Sequence, residues 1–314
     1  MSEFEPHDDL IRDTDEPGHD TPASPHTNNV APVLSAHELV VDYPGRPPRR
    51  AVEGVSFDIR VGEVVGLVGE SGCGKSTIAR VLTGLIRPTS GDVIYHGRTL
   101  KPLGLASRRI EDTGIQMVFQ DPGSSLNPRR RVGAQIQDGL DAARRRRATD
   151  PPPGANRAAR PSTPAEWLTR IGMDATDADR YPSSFSGGQR QRIATARALA
   201  AAPDVLIGDE PISALDASTQ ARVAYIMSTL TIAQGAGMLF ISHDLSVVRL
   251  IADRLLVMYR GHIVERGAAE EIWTDPKHPY TKALLGAIPL PDGAGRLPVV
   301  TPPGTEYPRD EVVR

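Results

Sequence analysis

Val64-Val65-Gly66-Leu67-Val68-Gly69-Glu70-Ser71-Gly72-Cys73-Gly74-Lys75-Ser76 is the stretch on which the fold of this chain turns. Its first five residues form a short, unbroken apolar run, suited to a strand buried on both faces of a parallel sheet. The next eight fit a glycine-rich turn that opens a helix, predicted over Lys75 to Leu85. Backbone N–H groups at a helix start, with the helix dipole behind them, form a ready anion site. Gly69, Gly72 and Gly74 let the backbone wrap a phosphate cluster without side-chain clashes. Lys75 is placed to set an ammonium between the β- and γ-phosphates, and the Ser76 hydroxyl to ligate Mg²⁺. Ser71, and Thr77 just after the stretch, complete the candidate nucleotide-binding set here.

Two later segments extend the reading. Val205-Leu206-Ile207-Gly208-Asp209-Glu210 is an apolar strand ending in two carboxylates. Asp209 at the end of a central strand would hold Mg²⁺ through water, and Glu210 would accept a proton from the water attacking the γ-phosphate. Ser186-Gly187-Gly188-Gln189 precedes a strong helix former running from Arg190 to Ala200. That is a second helix start with a glycine turn, hence a second anion site. One lysine-bearing loop and two anion-binding turns are reconciled if two chains pair head to tail, each closing its Ser186–Gln189 turn over the other's nucleotide.

Composition bounds the rest. The chain has 314 residues, 39% apolar and 24% charged, which suits a globular protein with room for a sizeable core. A net charge of −3 gives no argument for nucleic-acid binding. Cys73 is the only cysteine, so an intrachain disulfide and a multi-cysteine metal or iron–sulfur site are excluded. The first residues lack a basic stretch followed by an apolar core, and no apolar run approaches the ~20 residues that span a bilayer. The expectation is a cytosolic protein that meets the membrane through a partner.

Along the chain, residues 1–33 read as a disordered acidic tail. Strands are predicted at Leu39–Val41, Val55–Ile59, Val64–Val68, Ile115–Phe119, Val205–Gly208 and Met238–Ile241, with a hairpin-like unit over Gly91–Gly97. Residues 124–190 carry helical spacing and read as an inserted helical subdomain. Within it, residues 144–165, with Arg144 to Arg147 and the run Pro151-Pro152-Pro153-Gly154, read as a flexible, solvated insertion. Residues 291–314 read as a Pro/Gly-rich tail. The fold class expected is α/β: a P-loop NTPase core with a mostly parallel sheet, an N-terminal antiparallel β-subdomain and the helical insertion. One phosphate-binding loop implies one ATPase domain, over 34–290.

With these segments in order, the chain resembles the nucleotide-binding subunit of ABC transporters over about residues 34 to 290. The resemblance implies ATP and Mg²⁺ as cofactors and ATP hydrolysis as the reaction. It places Tyr43 where an aromatic ring stacks on adenine, and Gln120 where a glutamine senses Mg²⁺ and couples to membrane subunits. Ser213-Ala214-Leu215-Asp216 matches the loop that crosses the dimer interface, and His243 matches the switch histidine at the γ-phosphate. The implied catalytic set is Glu210, His243, Lys75 and Gln120; the implied metal set is Ser76, Gln120 and Asp209. Implied partners are transmembrane permeases, a second ATPase subunit (a copy or a related chain) and, indirectly, a substrate-binding protein, at the cytoplasmic face of the cell membrane. Phe185 stands where the family pattern usually has leucine, an apolar residue either way.

Within the family, Phe119-Gln120-Asp121-Pro122-Gly123-Ser124-Ser125-Leu126-Asn127-Pro128-Arg129 and His278-Pro279-Tyr280-Thr281-Lys282-Ala283-Leu284-Leu285 resemble the branch of oligopeptide, dipeptide and nickel importers. Other users of these motifs are DNA-repair or chromosome-organising ATPases and ribosome-associated factors. The former need long coiled-coil insertions or zinc-binding cysteines and the latter two ATPase domains; this sequence has none of these. Cys73, beside Lys75 at a helix start, leaves two readings open: a lowered thiol pKa and a reactive thiolate, or a small residue that fits the loop and is chemically silent.

Overall fold

The computed structural model describes residues 31–103, 109–121, 125–149, 161–288, 305–309 and 312–313. The expected acidic tail at 1–30 lies outside the described residues, as do 150–160 of the expected insertion and most of the C-terminal segment.

Ten strands form two sheets among the described residues. β1 (Leu34–Tyr43), β2 (Arg49–Ile59), β4 (Ser90–Tyr95) and β5 (Arg98–Thr99) make an antiparallel sheet in the order β2-β1-β4-β5. β3 (Val64–Val68), β6 (Ile115–Val118), β7 (Val205–Asp209), β8 (Gly237–Ser242), β9 (Arg254–Tyr259) and β10 (His262–Ala268) make a second sheet in the order β10-β9-β3-β8-β7-β6. All its neighbours are parallel except β10 and β9. The tight turns follow sequence rules: His96-Gly97 and Arg260-Gly261 each join antiparallel strands with positive φ at both residues, as a two-residue hairpin requires.

β3, β7 and β8 are buried at every position, which is why they read as unbroken apolar runs. The helices are α1 (Lys75–Leu82), α2 (Val132–Thr149), α3 (Pro164–Arg170), α4 (Gly187–Ala200), α5 (Ala217–Ala233), α6 (Leu245–Ile251), α7 (Ala269–Thr274) and α8 (Pro279–Gly286). Trp167, Leu168, Ile171, Ile136 and Ile193 join the helical insertion to one continuous core with β7 and β8. α/β architecture, parallel sheet, antiparallel subdomain and helical insertion all match expectation; the β9-β10 hairpin and α6 to α7 were not foreseen.

Two expectations need correction. Arg144 and Arg146 do not sit in a solvated loop, because α2 runs on through Thr149. Alanine and arginine are good helix formers, and Arg144 pairs with Asp141 one turn back at 2.8 Å. Arg146 is only 3% exposed and reaches Asp204 at 3.1 Å and the Ala202 carbonyl. Tyr95 donates to the same Asp204, and His96 lies 3.1 Å from it, so one carboxylate ties the β-subdomain, the insertion and the root of β7 together. Burial alone would raise that carboxyl's pKa; His96, Arg146 and Tyr95 outweigh it and hold it below the usual range.

The described part of the C-terminal segment is also not a loose tail. Tyr307 packs edge-on against Tyr259 and Tyr280, with ring centroids 5.6 and 5.5 Å away. Val313 exchanges backbone hydrogen bonds with Val264 and Arg266, both 3.0 Å, along β10. A two-residue bridge and one aromatic leave no periodicity for a sequence reading to find.

Candidate nucleotide site

The site is assembled by strand register. Val68 of β3 pairs with Ser242 of β8, Asp209 of β7 with Ile241, and Val118 of β6 with Gly208. The carboxyl ends of four adjacent parallel strands therefore lie side by side, where an open α/β sheet binds its ligands. β3 delivers the phosphate loop, β7 the Asp209-Glu210 pair, β8 His243 and β6 Gln120.

The loop itself needs its glycines. Gly74, with φ +118°, caps α1; a Cβ there would fall 2.3 Å from the Ala51 carbonyl oxygen. A Cβ on Gly69 would fall 2.1 Å from the Met258 carbonyl oxygen. Lys75 is 3% exposed, and its Nζ donates to the carbonyls of Gly69 (2.7 Å) and Glu70 (2.9 Å). That ammonium lies 3.9 Å from Glu210. Ser76 donates its hydroxyl proton to Asp209 Oδ1 at 2.7 Å. Burial pushes the Asp209 carboxyl up, and the Ser76 hydroxyl partly offsets this.

Glu210 collects the other predicted groups. Gln120 Nε2 donates to Glu210 Oε2 at 3.5 Å, and His243 Nδ1 lies 3.3 Å from the same oxygen. Glu210 sits at φ +46°, uncommon for a non-glycine residue, and its N–H is held by the Ile241 carbonyl at 3.0 Å. That conformation falls at the carboxyl end of β7, and strained backbone of this kind clusters in functional sites.

A cavity of about 250 Å³ opens over these groups, lined by Tyr43, Arg49, Ala51, Ser71, Gly72, Gly74, Lys75, Ser76, Thr77, Gln120 and Glu210. The Tyr43 hydroxyl is 3.1 Å from Thr77 Oγ1, which holds the ring at the cavity wall. Arg49 was not foreseen: it is the first residue of β2, and only folding brings its guanidinium 3.4 Å from the Gly72 carbonyl.

Ser186, Gly187, Gly188, Gln189 and Asp216 are not among the residues lining this cavity. Ser186 and Gln189 form a reciprocal capping box at the start of α4: Ser186 Oγ accepts from the Gln189 N–H (3.3 Å) and Gln189 Oε1 from the Ser186 N–H (2.9 Å). Asp216 caps α5 through the Thr219 N–H at 3.0 Å. A Cβ on Gly188 would sit 3.2 Å from Thr219 and 3.5 Å from Leu215, so the glycine turn and the Ser213–Asp216 loop are neighbours on one surface.

For Cys73 the structure favours the silent reading. It is 7% exposed, and burial pushes its thiol pKa up, with Lys75 only partly opposing. Desolvation of a thiolate outweighs one ammonium 3.9 Å away. Maleimide at neutral pH is accordingly expected to label Cys73 much more slowly in the native protein than in urea, as intact mass against time would record. Equal rates would overturn the burial argument.

Comparison with known proteins agrees with this geometry. Residues 52–213 match the family model described as "ABC transporter", and residues 264–313 match "Oligopeptide/dipeptide transporter, C-terminal region". The chain is 47% identical over 244 residues to the oligopeptide transport ATP-binding protein OppF of Bacillus subtilis, covering 77% of each. It is 41% identical over 294 residues to the dipeptide transport ATP-binding protein DppF of Escherichia coli, covering 88% of this chain and 85% of that protein. Among solved structures, the dimeric post-hydrolysis state of the ATP-binding cassette MJ0796 with ADP and Pi aligns with a TM-score of 0.60 at 25% identity, covering 75% of this chain and 98% of that one. A family model spanning over half the chain, on a phosphate loop facing a strand-end carboxylate pair, leaves one assignment: the chain belongs to the ABC transporter family, as one of its ATP-hydrolysing subunits.

Proposed function

We propose that this chain hydrolyses ATP to power import of peptides through transmembrane permease subunits, at the inner face of the cell membrane. The observation that carries the hydrolytic half is Glu210, with Gln120, His243 and Lys75 all within 4 Å of its carboxylate. The cargo half rests on the match of residues 264–313 and on the names of the relatives.

Roles for the residues follow from their chemistry. Lys75 counters the charge of the β- and γ-phosphates, and the N–H groups at the start of α1 hold their oxygens. Glu210 takes the proton from the attacking water, and His243, 3.3 Å away, orients that carboxylate. Tyr43 offers its ring to adenine at the cavity wall. The Ser76 hydroxyl, the Asp209 carboxylate and the Gln120 amide oxygen are hard oxygen donors, a set that suits Mg²⁺. When bound, that cation supplies neutralisation of the phosphate charge. Ser186, Gly187, Gly188, Gln189 and Asp216, gathered on one surface outside the cavity, serve the nucleotide of a second ATPase subunit across a dimer.

The test is uptake in cells carrying the wild-type gene or Glu210→Gln, with labelled di- and oligopeptides and with nickel as a control. Loss of peptide uptake alone is the expected result. Peptide uptake that survives while nickel uptake is lost would overturn the cargo and keep the motor.

A further inference from the structure

The hydroxyl of Tyr280 reaches the phosphate loop from the far end of the chain. It accepts a hydrogen bond from the Glu70 N–H at 2.9 Å, across 210 positions of sequence, and the ring is 1% exposed. That N–H belongs to the same peptide unit as the Gly69 carbonyl. On its other side the carbonyl accepts from Lys75 Nζ at 2.7 Å. In a trans peptide the N–H and C=O point in opposite directions. Tyr280 thus holds one end of a plane whose other end seats the loop lysine. The restraint matters because the unit follows glycine, whose backbone rotates with little steric resistance.

Tyr280 is itself held by the C-terminal region. Its ring lies 4.5 Å from that of Tyr259 and 5.5 Å from that of Tyr307. His278 Nδ1 accepts from the Tyr280 N–H at 3.2 Å, which leaves Nε2 to donate to the Pro308 carbonyl at 3.1 Å. Buried Glu265 accepts from the N–H groups of Lys277 (2.7 Å) and His278 (3.1 Å), fixing the start of α8. Residues 305–309 and 312–313 therefore lie as a strap across the element that carries Tyr280.

We propose that Tyr280 is a positioning residue for Lys75, and that the strap of residues 305–309 and 312–313 keeps it in place, so the C-terminal region sets the affinity of the phosphate loop for nucleotide. This rests on the nucleotide-site reading above. The mechanism is geometric: without the hydroxyl the Gly69–Glu70 peptide is free to turn, and the ammonium loses its seat.

Tyr280→Phe keeps the ring packing and removes only the hydroxyl. MgATP binding to the full chain is expected to weaken about 5- to 10-fold, the scale of one lost hydrogen bond, with the rise in KM exceeding any fall in kcat. The melting temperature without nucleotide should stay within about 2 °C, since core packing is unchanged. Tyr307→Ser, which opens one side of the ring cluster, should shift the affinity in the same direction by a smaller factor. Tyr280→Phe with wild-type affinity overturns the proposal. A normal affinity in Tyr307→Ser overturns the role of the strap. A wild-type chain that fails to bind MgATP at all overturns this inference together with the site reading beneath it.

Discussion

Glu210→Gln is expected to lower ATP turnover by about 10²- to 10⁴-fold, the span of a lost general base, while leaving MgATP binding intact. The substitution is nearly isosteric, and its amide oxygen can still accept from Gln120. It cannot take a proton from water. In the proposed roles the loop N–H groups and Lys75, and not this side chain, hold the phosphates, so affinity has no reason to fall. The clean measurement pairs a nucleotide titration with phosphate release under saturating ATP. Turnover within about threefold of wild type would remove Glu210 from the role of base.

Lys75→Ala should strike affinity instead. The ammonium is almost fully buried and sits on two loop carbonyls, 3.9 Å from Glu210, so it is already aimed at the cavity. Charge-assisted hydrogen bonds are worth about 1.5–3 kcal/mol each, so losing the contacts to two phosphates, about 3–6 kcal/mol together, should weaken binding roughly 10²- to 10⁴-fold. Arginine should not rescue it, because a planar fork does not fit a point-charge seat. Calorimetric titration with MgATP is the check. A variant within about twofold of wild-type affinity would take the lysine out of the phosphate site.

Much of this was readable before folding. Val64–Val68 and Val205–Gly208 announce buried parallel strands because nothing polar interrupts them, and Gly74-Lys75-Ser76 announces its turn because φ +118° suits glycine and little else. What a local reading missed or left open shares a cause. Arg146 was read as solvated because an arginine in a Pro-rich neighbourhood normally is; its partner Asp204 stands 58 positions away and leaves no local trace. For Cys73 the two neighbours in sequence leave both readings open, and the burial that dominates its pKa and decides between them comes from elements packed around it.

By itself the sequence determined the strand-to-helix phosphate loop, the carboxylate pair that closes β7 and the capped glycine turn opening α4. Each of these is a backbone conformation dictated by residues within a few positions of one another. Only the tertiary structure decided which groups meet: Ser76 on Asp209 across 133 positions, Gln120 and His243 on Glu210, Tyr280 on Glu70 across 210. Those meetings depend on the order β9-β3-β8-β7-β6 and on what residues 305–309 and 312–313 pack against. Torsional preferences act between neighbours along the chain, while hydrogen bonds and desolvation act between neighbours in space, and strand order is what converts the one into the other.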